Sequence, residues 1–233
     1  MDGVVTQTAK VHDKAWKHMF DDFLKARAEA GGTELVPFDA TADYNTYVDG
    51  KPRYDGVRSF LASRNITLPE GNHDDPSSAE TVCGLGNRKN EYFIDLMHKD
   101  GVEPYADAVA LAKNVRSQGL KTALVSSSAN AAEILEAAGA SGLFDARVDG
   151  HAVEDQGLAG KPAPDTYLYA AKLVGAAPDR SVVLEDAVSG VEAGRAGKFG
   201  LVVGVDRIGH ADELKTNGAD VATSDLTTLI PAG

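Results

Sequence analysis

The sequence has few of the features that mark disulfide-rich, membrane or nucleic-acid-binding proteins. It contains a single cysteine, Cys83, which excludes a disulfide framework and favours a reducing, cytoplasmic compartment. No segment approaches the ~20 consecutive apolar residues of a transmembrane helix, and the N-terminus lacks the basic region and apolar core of a signal peptide. The formal net charge is −12, whereas a phosphate backbone binds a basic face. We therefore expect no membrane partner and no nucleic-acid partner.

The first half of the chain carries helical signals only. Apolar side chains recur at three- and four-residue steps from Val11 to Leu24, which predicts an amphipathic helix that stops at the Gly-Gly pair 31–32. The stretches VRSFLASRN and NRKNEYFIDLMHKDG predict two further helices, the second of which ends at Gly101. We predict no strand of any length in this region.

From Val102 onward, short apolar runs alternate with helices. The runs are TALVS, ARVDG, SVVLED, LVVGV and DVAT, and this alternation predicts a parallel sheet covered on both faces. The predicted fold is α/β, with a Rossmann-like parallel sheet core formed by residues 1–8 and 102–233. An α-helical cap domain of residues 9–101 is inserted into it. A cap placed over the strand ends would enclose a site between the two domains.

Polar side chains follow the predicted strands, where parallel sheets bind their ligands. They are Ser126, Lys161, Glu185, Asp186 and Asp206. Each has an ordinary alternative explanation, since the acids and serines can cap helices and the lysine can be solvated. Together with Asp2 in an Asp-Gly turn, however, they supply an acid/base, a phosphate hydrogen bond, a counter-charge and magnesium ligands. That set is suited to phosphoryl transfer.

Five motifs occur in a characteristic order: DGVVTQTAKVHDKAWK, GNRKN, SSSAN, GKPAPD and LEDAVSG. This ordered set resembles the haloacid dehalogenase superfamily of phosphotransferases and, within it, the β-phosphoglucomutase-like subfamily. The resemblance covers nearly the whole chain. It implies a Mg²⁺-dependent, monomeric enzyme that acts on a small phosphorylated sugar, with glucose 1,6-bisphosphate as a possible activator and an aspartyl-phosphate enzyme as intermediate.

The family's first motif is Asp-x-Asp-Gly-Val, and the resemblance makes Asp2 its second aspartate, the general acid and base. The attacking aspartate would precede Met1. Three explanations are open: upstream residues missing from the sequence, a modified nucleophile that the sequence does not represent, or a relative without a nucleophile. We expect the first, because a parallel sheet without its central strand leaves unpaired edges. The strands TALVS and VVLE should then flank a gap.

The resemblance also assigns roles in the N-terminal half of the chain. Asp2 would lend its backbone carbonyl to magnesium, and Thr8 matches the hinge threonine. His12 would orient Asp2 or the substrate. Arg53 matches a cap arginine that grips the non-reacting phosphate, a task suited to a bidentate guanidinium. Lys89 matches a cap lysine that faces the sugar.

In the C-terminal half, the resemblance implies that Ser126 and Lys161 hold the transferring phosphoryl group. Ser128 and Asn130 would hold the distal phosphate.

Glu185 and Asp186 would bind magnesium, Asp186 directly. Two positions depart from the family pattern: Gln7 stands where an acid is usual, and Ala129 stands where a lysine is usual. Losing one charged hydrogen bond costs about 1.5–3 kcal/mol, which weakens the predicted handling of a bisphosphate.

Three functions therefore remain open from the sequence. The first is β-phosphoglucomutase activity, which converts β-glucose 1-phosphate to glucose 6-phosphate through a bisphosphate. The second is a sugar-phosphate phosphatase on the same fold, which the alanine at position 129 favours. The third is a non-catalytic phosphosugar-binding protein.

Overall fold

The structure is a computed structural model that describes residues 1–31 and 36–231. The chain divides into two compact units, residues 1–8 with 102–233, here called the core unit, and residues 9–101, here called the cap unit. One boundary between the two units follows Thr8, and the other precedes Val102. That these units act as a catalytic core and a substrate cap stays a prediction.

All regular secondary structure in the described residues of the cap unit is helical, and they contain no strand, as the sequence predicts. It comprises α1 (Ala9–Glu29), a π-helical turn (Tyr44–Val48), α2 (Arg53–Ser63) and α3 (Val82–Asp100). Helix α1 ends before the predicted Gly-Gly stop, whose second glycine lies outside the described residues. Helix α3 begins where the Thr81 hydroxyl accepts a hydrogen bond from the amide of Gly84, and it ends at Gly101 with φ +76°.

An aromatic cluster forms the core of the cap unit. The ring of Phe60 lies 4.0 Å from that of Phe20, 5.2 Å from that of Phe38 and 6.3 Å from that of Tyr47, measured between centroids. The three phenylalanines are buried, and α1 and α2 contact each other through the rings of Phe20 and Phe60. No helix in residues 1–31 and 36–231 combines the length and apolar character needed to cross a membrane.

The core unit alternates strands and helices after its N-terminal segment. In order it contains α4 (Ala106–Ser117), β1 (Ala123–Val125), α5 (Ala131–Ala137), β2 (Ala146–Val148), α6 (Gly150–Asp155), α7 (Asp165–Leu173), β3 (Val182–Glu185), α8 (Val188–Ala196), β4 (Leu201–Val205), α9 (Ala211–Thr216) and β5 (Val221–Thr223). All five apolar runs form strands. The sequence did not predict α6, which begins where the Asp149 carboxylate accepts the amide of Ala152.

The strands form two parallel sheets rather than one. One sheet pairs β1 with β2, and the other has the order β3-β4-β5. This arrangement of parallel strands and covering helices confirms the predicted α/β class. Within the described residues, no strand joins β1 to β3 by hydrogen bonds.

A cavity of about 720 Å³ separates β1 from β3. Its walls are mostly apolar and include Leu124, Val183 and, from the helices, Leu111 and Ala171. Met1 lies at this cavity, where its amine is 3.4 Å from the carbonyl oxygen of Val125. The strands TALVS and VVLE therefore do not pair with each other, as the sequence predicts, and one edge of each faces the cavity.

The aromatic cluster generates a stability prediction. Phe60→Ala removes a fully buried ring from between three others and should lower the free energy of unfolding by about 3–5 kcal/mol. The control Lys25→Ala changes an exposed side chain of α1 and should stay within about 0.5 kcal/mol of the parent. Urea denaturation followed by circular dichroism measures both. Equal stability of the two variants would mean that the cluster does not hold the cap unit together.

Candidate active site

The N-terminal turn fixes the first candidate residue, Asp2. The turn closes through the amide of Gly3, which donates to the carbonyl of Thr6 at 2.9 Å, and Gly3 has φ +66°. The Thr8 hydroxyl donates to Oδ1 of Asp2, and it lies 2.9 Å from the Thr6 hydroxyl. Thr8, predicted as a hinge residue, therefore orients the Asp2 carboxylate and is also the last residue before the cap unit.

Asp186 packs directly on this turn. A Cβ atom at Gly3 would lie 1.7 Å from Oδ2 of Asp186, so only glycine allows the carboxylate to approach this closely. The structure thus brings Asp186 next to the Asp2–Gly3 turn, as the sequence predicts. Magnesium typically binds one or two carboxylates and keeps several waters. The Asp2–Gly3 turn and the turn that bears Asp186 together fit such an ion. In the described part of the chain no three His, Cys, Asp or Glu side chains form a metal cluster, and magnesium binding stays a prediction.

Glu185 has a different environment from its neighbour. Its Oε2 accepts hydrogen bonds from Nζ of Lys161 at 2.7 Å and from the hydroxyl of Tyr167 at 2.5 Å, while Oε1 accepts from the amide of Ala187 at 3.2 Å. All three side chains, Lys161, Tyr167 and Glu185, are buried. A direct bond from Glu185 to magnesium would compete with these partners. We therefore expect Glu185 to support the metal site without coordinating the ion.

The electrostatics of this buried group favour a charged pair. Burial alone would raise the pKa of the Glu185 carboxyl, but the adjacent Lys161 outweighs burial and lowers the pKa to about 2. Burial likewise opposes the charge on Lys161, whose pKa is nevertheless raised because of Glu185. Burial and the Glu185 charge both raise the pKa of Tyr167, which stays a neutral donor. Lys161 therefore carries its charge already balanced by a carboxylate.

Sequence reasoning did not identify Tyr167. It lies in the helical stretch PDTYLYAAK, where the apolar period marks a buried aromatic ring but does not reveal the partner of its hydroxyl.

Steric crowding explains the glycine of the motif LEDAVSG, Gly190. A Cβ atom at Gly190 would lie 2.2 Å from Cδ of Glu185. The first turns of α8 therefore pass so close to Glu185 that no larger residue fits without displacing the carboxylate.

The loop after β1 carries Ser126, Ser128 and Asn130. The Ser126 hydroxyl, which is buried, accepts the amide of Ser128 at 3.1 Å, and the Ser128 hydroxyl accepts the amide of Asn130 at 3.2 Å. The amide of Gly150 donates to the carbonyl of Ser128 at 3.1 Å. A hydroxyl that accepts one bond can still donate its own hydrogen, so both serines remain able to bind a phosphate oxygen. That they do so stays a prediction.

Arg53 begins α2 in the cap unit and contacts α3. Its Nη1 donates to Oδ1 of Asn87 at 3.3 Å and its Nη2 to Oδ1 of Asn90 at 3.0 Å. Burial lowers the pKa of the guanidinium. Among the residues that the structure describes, no carboxylate forms an ion pair with Arg53, which is held by neutral oxygens. This half-buried cation therefore suits an anionic ligand.

Asn87 joins this arginine to the loop before α3. Its Oδ1 also accepts the hydroxyl of Tyr54 at 2.9 Å, and its Nδ2 donates to the carbonyls of His73 and Asp75. A Cβ atom at Gly86 would lie 2.6 Å from Cδ1 of Tyr54, so the motif GNRKN allows α2 and α3 to approach closely. The sequence singled out this motif for its lysine and did not reveal the role of the asparagine.

Lys89 and His12 contact each other inside the cap unit. Nζ of Lys89 lies 2.8 Å from Nδ1 of His12, and the buried ammonium is 4.9 Å from the Trp16 ring and 5.0 Å from the Phe93 ring. His12 stacks on Phe93 with centroids 4.1 Å apart. Because an ammonium only donates, Nδ1 accepts and Nε2 carries the imidazole hydrogen. The predicted contact of His12 with Asp2 or with a substrate stays a prediction.

Comparison with known proteins identifies the family. A model of haloacid dehalogenase-like hydrolases matches residues 1–198. The chain belongs to the haloacid dehalogenase-like hydrolase family. It is 51% identical over 233 residues to a protein of Mycobacterium bovis named beta-phosphoglucomutase, covering 99% of this chain and 89% of that protein. A Bacillus subtilis protein of the same name is 30% identical over 232 residues, covering 97% and 89%.

Solved structures support the same fold. The crystal structure of beta-phosphoglucomutase from Clostridium difficile superposes with a TM-score of 0.75 at 24% identity, covering 98% of this chain and 89% of that one. Family membership and the named relatives confirm the resemblance predicted from the motifs. The protein is an enzyme of the phosphoglucomutase-like or phosphatase type, and the non-catalytic alternative is set aside.

The close approach of α8 to Glu185 generates a second prediction. Gly190→Ala should force Glu185 away from Lys161 and Tyr167, lowering the free energy of unfolding by about 1–3 kcal/mol and reducing phosphotransferase activity. Gly142→Ala is the matched control, because its Cβ atom would meet nothing within 4 Å and it should stay within about 0.5 kcal/mol of the parent. Thermal denaturation and an activity assay measure both variants. A Gly190→Ala protein as active and stable as the control would contradict the importance of this contact.

Proposed function

We propose that this enzyme is a magnesium-dependent β-phosphoglucomutase that converts β-glucose 1-phosphate to glucose 6-phosphate through a bisphosphate. Two relatives that the chain covers almost completely carry this name. The observation that carries the proposal is Arg53, a cap-unit cation held by neutral amide oxygens. A mutase must hold one phosphate of a bisphosphate while the other reacts, and this arginine supplies the additional phosphate site.

Arg53 suits that site by its chemistry. A guanidinium presents paired N–H groups that match two phosphate oxygens, and this geometry favours a fixed, bidentate contact. Asn87 and Asn90 hold the group in place without neutralising it. In the core unit, Ser128 and Asn130 are the proposed ligands of the distal phosphate. Ala129 between them weakens that site, because the family's usual lysine is absent.

The core unit supplies the reacting phosphate site. Ser126 donates a hydrogen bond to the transferring phosphoryl group, and Lys161 contributes positive charge beside it. Asp186 and the backbone carbonyl of Asp2 would hold magnesium, with Glu185 acting through its neighbours. Magnesium, when bound, neutralises charge on the phosphoryl oxygens.

Asp2 is the general acid and base in this proposal. The Thr8 hydroxyl fixes Oδ1 of Asp2 and so fixes the direction in which the carboxyl group can exchange a proton with a sugar hydroxyl. Lys89 and His12 face the sugar. The proposed enzyme is a monomer, it is located in the cytoplasm, and glucose 1,6-bisphosphate activates it.

The second candidate is a sugar-phosphate phosphatase, which the alanine at position 129 favours because it removes one charged contact to a second phosphate.

Product analysis distinguishes the mutase from the phosphatase. Full-length protein is incubated with β-glucose 1-phosphate, Mg²⁺ and catalytic glucose 1,6-bisphosphate, and the products are followed by phosphorus NMR. We expect glucose 6-phosphate to accumulate with little inorganic phosphate. Release of inorganic phosphate in step with substrate loss would establish the phosphatase instead.

Arg53 allows a sharper test of the additional phosphate site. Arg53→Ala should lower mutase kcat/KM about tenfold to a hundredfold, because a charged hydrogen-bonded contact is worth about 1.5–3 kcal/mol. Hydrolysis of acetyl phosphate, which has no distal phosphate, should change little. Arg58→Ala is the matched control on the same helix, since Arg58 pairs with Asp55 and Glu70 on the surface. It should leave both reactions unchanged.

Ala129→Lys in the Arg53→Ala background should recover part of the mutase loss. Equal damage to both reactions by Arg53→Ala would show that this arginine supports the fold or the core site, and the phosphatase would become the better proposal.

A further inference from the structure

The loop that follows β4 is held by a single carboxylate. Oδ1 of Asp206 accepts the amides of Ile208, Gly209 and His210 at 3.2, 2.6 and 2.9 Å, and Oδ2 accepts the amide of Ala211 at 3.2 Å. Burial opposes the charge on Asp206, but these amides outweigh it and lower the pKa of the carboxyl. The loop is therefore a fixed element, and the motifs of the family resemblance assign it no role.

Arg207 links this loop to the turn that carries Asp2. Its Nε donates to the carbonyl of Gly3 at 3.3 Å, and Nη1 and Nη2 each lie 2.9 Å from an oxygen of Asp107 in the first turn of α4. The guanidinium stacks 4.0 Å from the Tyr105 ring centroid. The bidentate ion pair and the ring fix the arginine in one orientation. Arg207 therefore ties the Asp2–Gly3 turn to a helix of the core unit.

His210 links the same loop to the second carboxylate-bearing turn. Its Nε2 lies 2.9 Å from the backbone carbonyl of Asp186, and because a carbonyl only accepts, Nε2 carries a hydrogen. The Nδ1 atom is buried, has no hydrogen-bond partner among the residues that the structure describes, and lies 3.7 Å from Oδ1 of Asp206. The imidazole is thus positioned by its contact with Asp186.

One short loop therefore holds the backbone of both turns that bear the proposed magnesium ligands, the Asp186 carboxylate and the Asp2 backbone carbonyl. The Asp186 side chain packs on Gly3, where a Cβ atom would lie 1.7 Å from Oδ2, so a small shift of either turn changes the distance between the Asp186 carboxylate and the Asp2 carbonyl. We infer that Arg207 and His210 are positioning residues that set the magnesium affinity of this site. The inference rests on the proposed function for the identity of the metal.

Titration of the full-length protein with Mg²⁺ alone, followed by isothermal calorimetry, tests this inference without requiring turnover. His210→Ala should raise the Kd for Mg²⁺ about tenfold, the lower end of the effect of residues that orient metal ligands. His210→Gln keeps an N–H that can reach the Asp186 carbonyl and should recover most of the affinity. A purely structural role would change the melting temperature without this recovery.

Arg207→Ala should raise the Kd by a similar factor. Its matched control is Arg195→Ala, because Arg195 also donates Nε to a carbonyl, that of Gly218, and pairs with a carboxylate, that of Asp220, but contacts neither turn. The control should bind Mg²⁺ like the parent. If Arg207→Ala does not fold, the two His210 variants decide.

The outcomes separate the two proposals. An unchanged Kd in folded His210→Ala overturns the positioning role, and so does a parent protein that binds no Mg²⁺. A parent that binds Mg²⁺, with affinity lost in His210→Ala and recovered in His210→Gln, supports the positioning role. If such a protein forms no glucose 6-phosphate, the proposed mutase function fails while the positioning role stands.

Discussion

The buried ion pair between Lys161 and Glu185 constrains the whole carboxyl end of β3. Two charges removed from water are stable only when their remaining hydrogen-bonding atoms also find partners. The Tyr167 hydroxyl and the Ala187 amide meet this requirement on the Glu185 side. Their positions in turn fix α7 and the start of α8 relative to the strand, and Gly190 is small because the carboxylate occupies the space beside it.

A second constraint is the contact of Asp186 with Gly3. Neighbouring residues of β3 and its following turn therefore serve opposite purposes: Glu185 points into a closed network, while Asp186 reaches the N-terminal turn. This contact joins segments that are distant in the sequence, and the Arg207 and His210 contacts lie on the same two turns. The candidate site is thus built from backbone turns held by long-range polar contacts rather than from one continuous sheet edge.

The sequence predicted those elements that depend on local pattern. The apolar period from Val11 to Leu24 predicted α1, because a helix buried on one side repeats apolar residues every three or four positions. The run LVVGV predicted β4, because a strand buried on both faces is a short continuous apolar run. Motif order also predicted that Asp186 and Asp2 belong together. Family matches support the fold and the enzyme class, whereas the individual roles of the site residues remain proposals.

The side chains that support the candidate site could not be predicted in this way. Tyr167, Asn87 and Arg207 find their partners 18, 34 and 204 residues away, and no local pattern encodes such pairings. The same reason explains why Glu185 was expected as a metal ligand but is engaged by Lys161. The sequence shows that a carboxylate lies at the strand end, but it does not show which cation pairs with that carboxylate in the folded protein.

The two proposed phosphate sites differ in how their charge is balanced. In the core unit, the positive charge of Lys161 is matched by Glu185, and the carboxylates of Asp2 and Asp186 add negative charge nearby. A phosphate dianion approaching these groups would be repelled unless a divalent cation were bound, so the core site depends on its metal for charge as well as for geometry. In the cap unit, Arg53 is held by neutral amides, and its charge remains available to an anion without any metal. In the proposed function, phosphate binding to the core unit therefore depends on a metal, whereas phosphate binding to the cap unit does not. In the proposed mutase reaction, this difference in charge balance would distinguish the reacting phosphate from the one that is held.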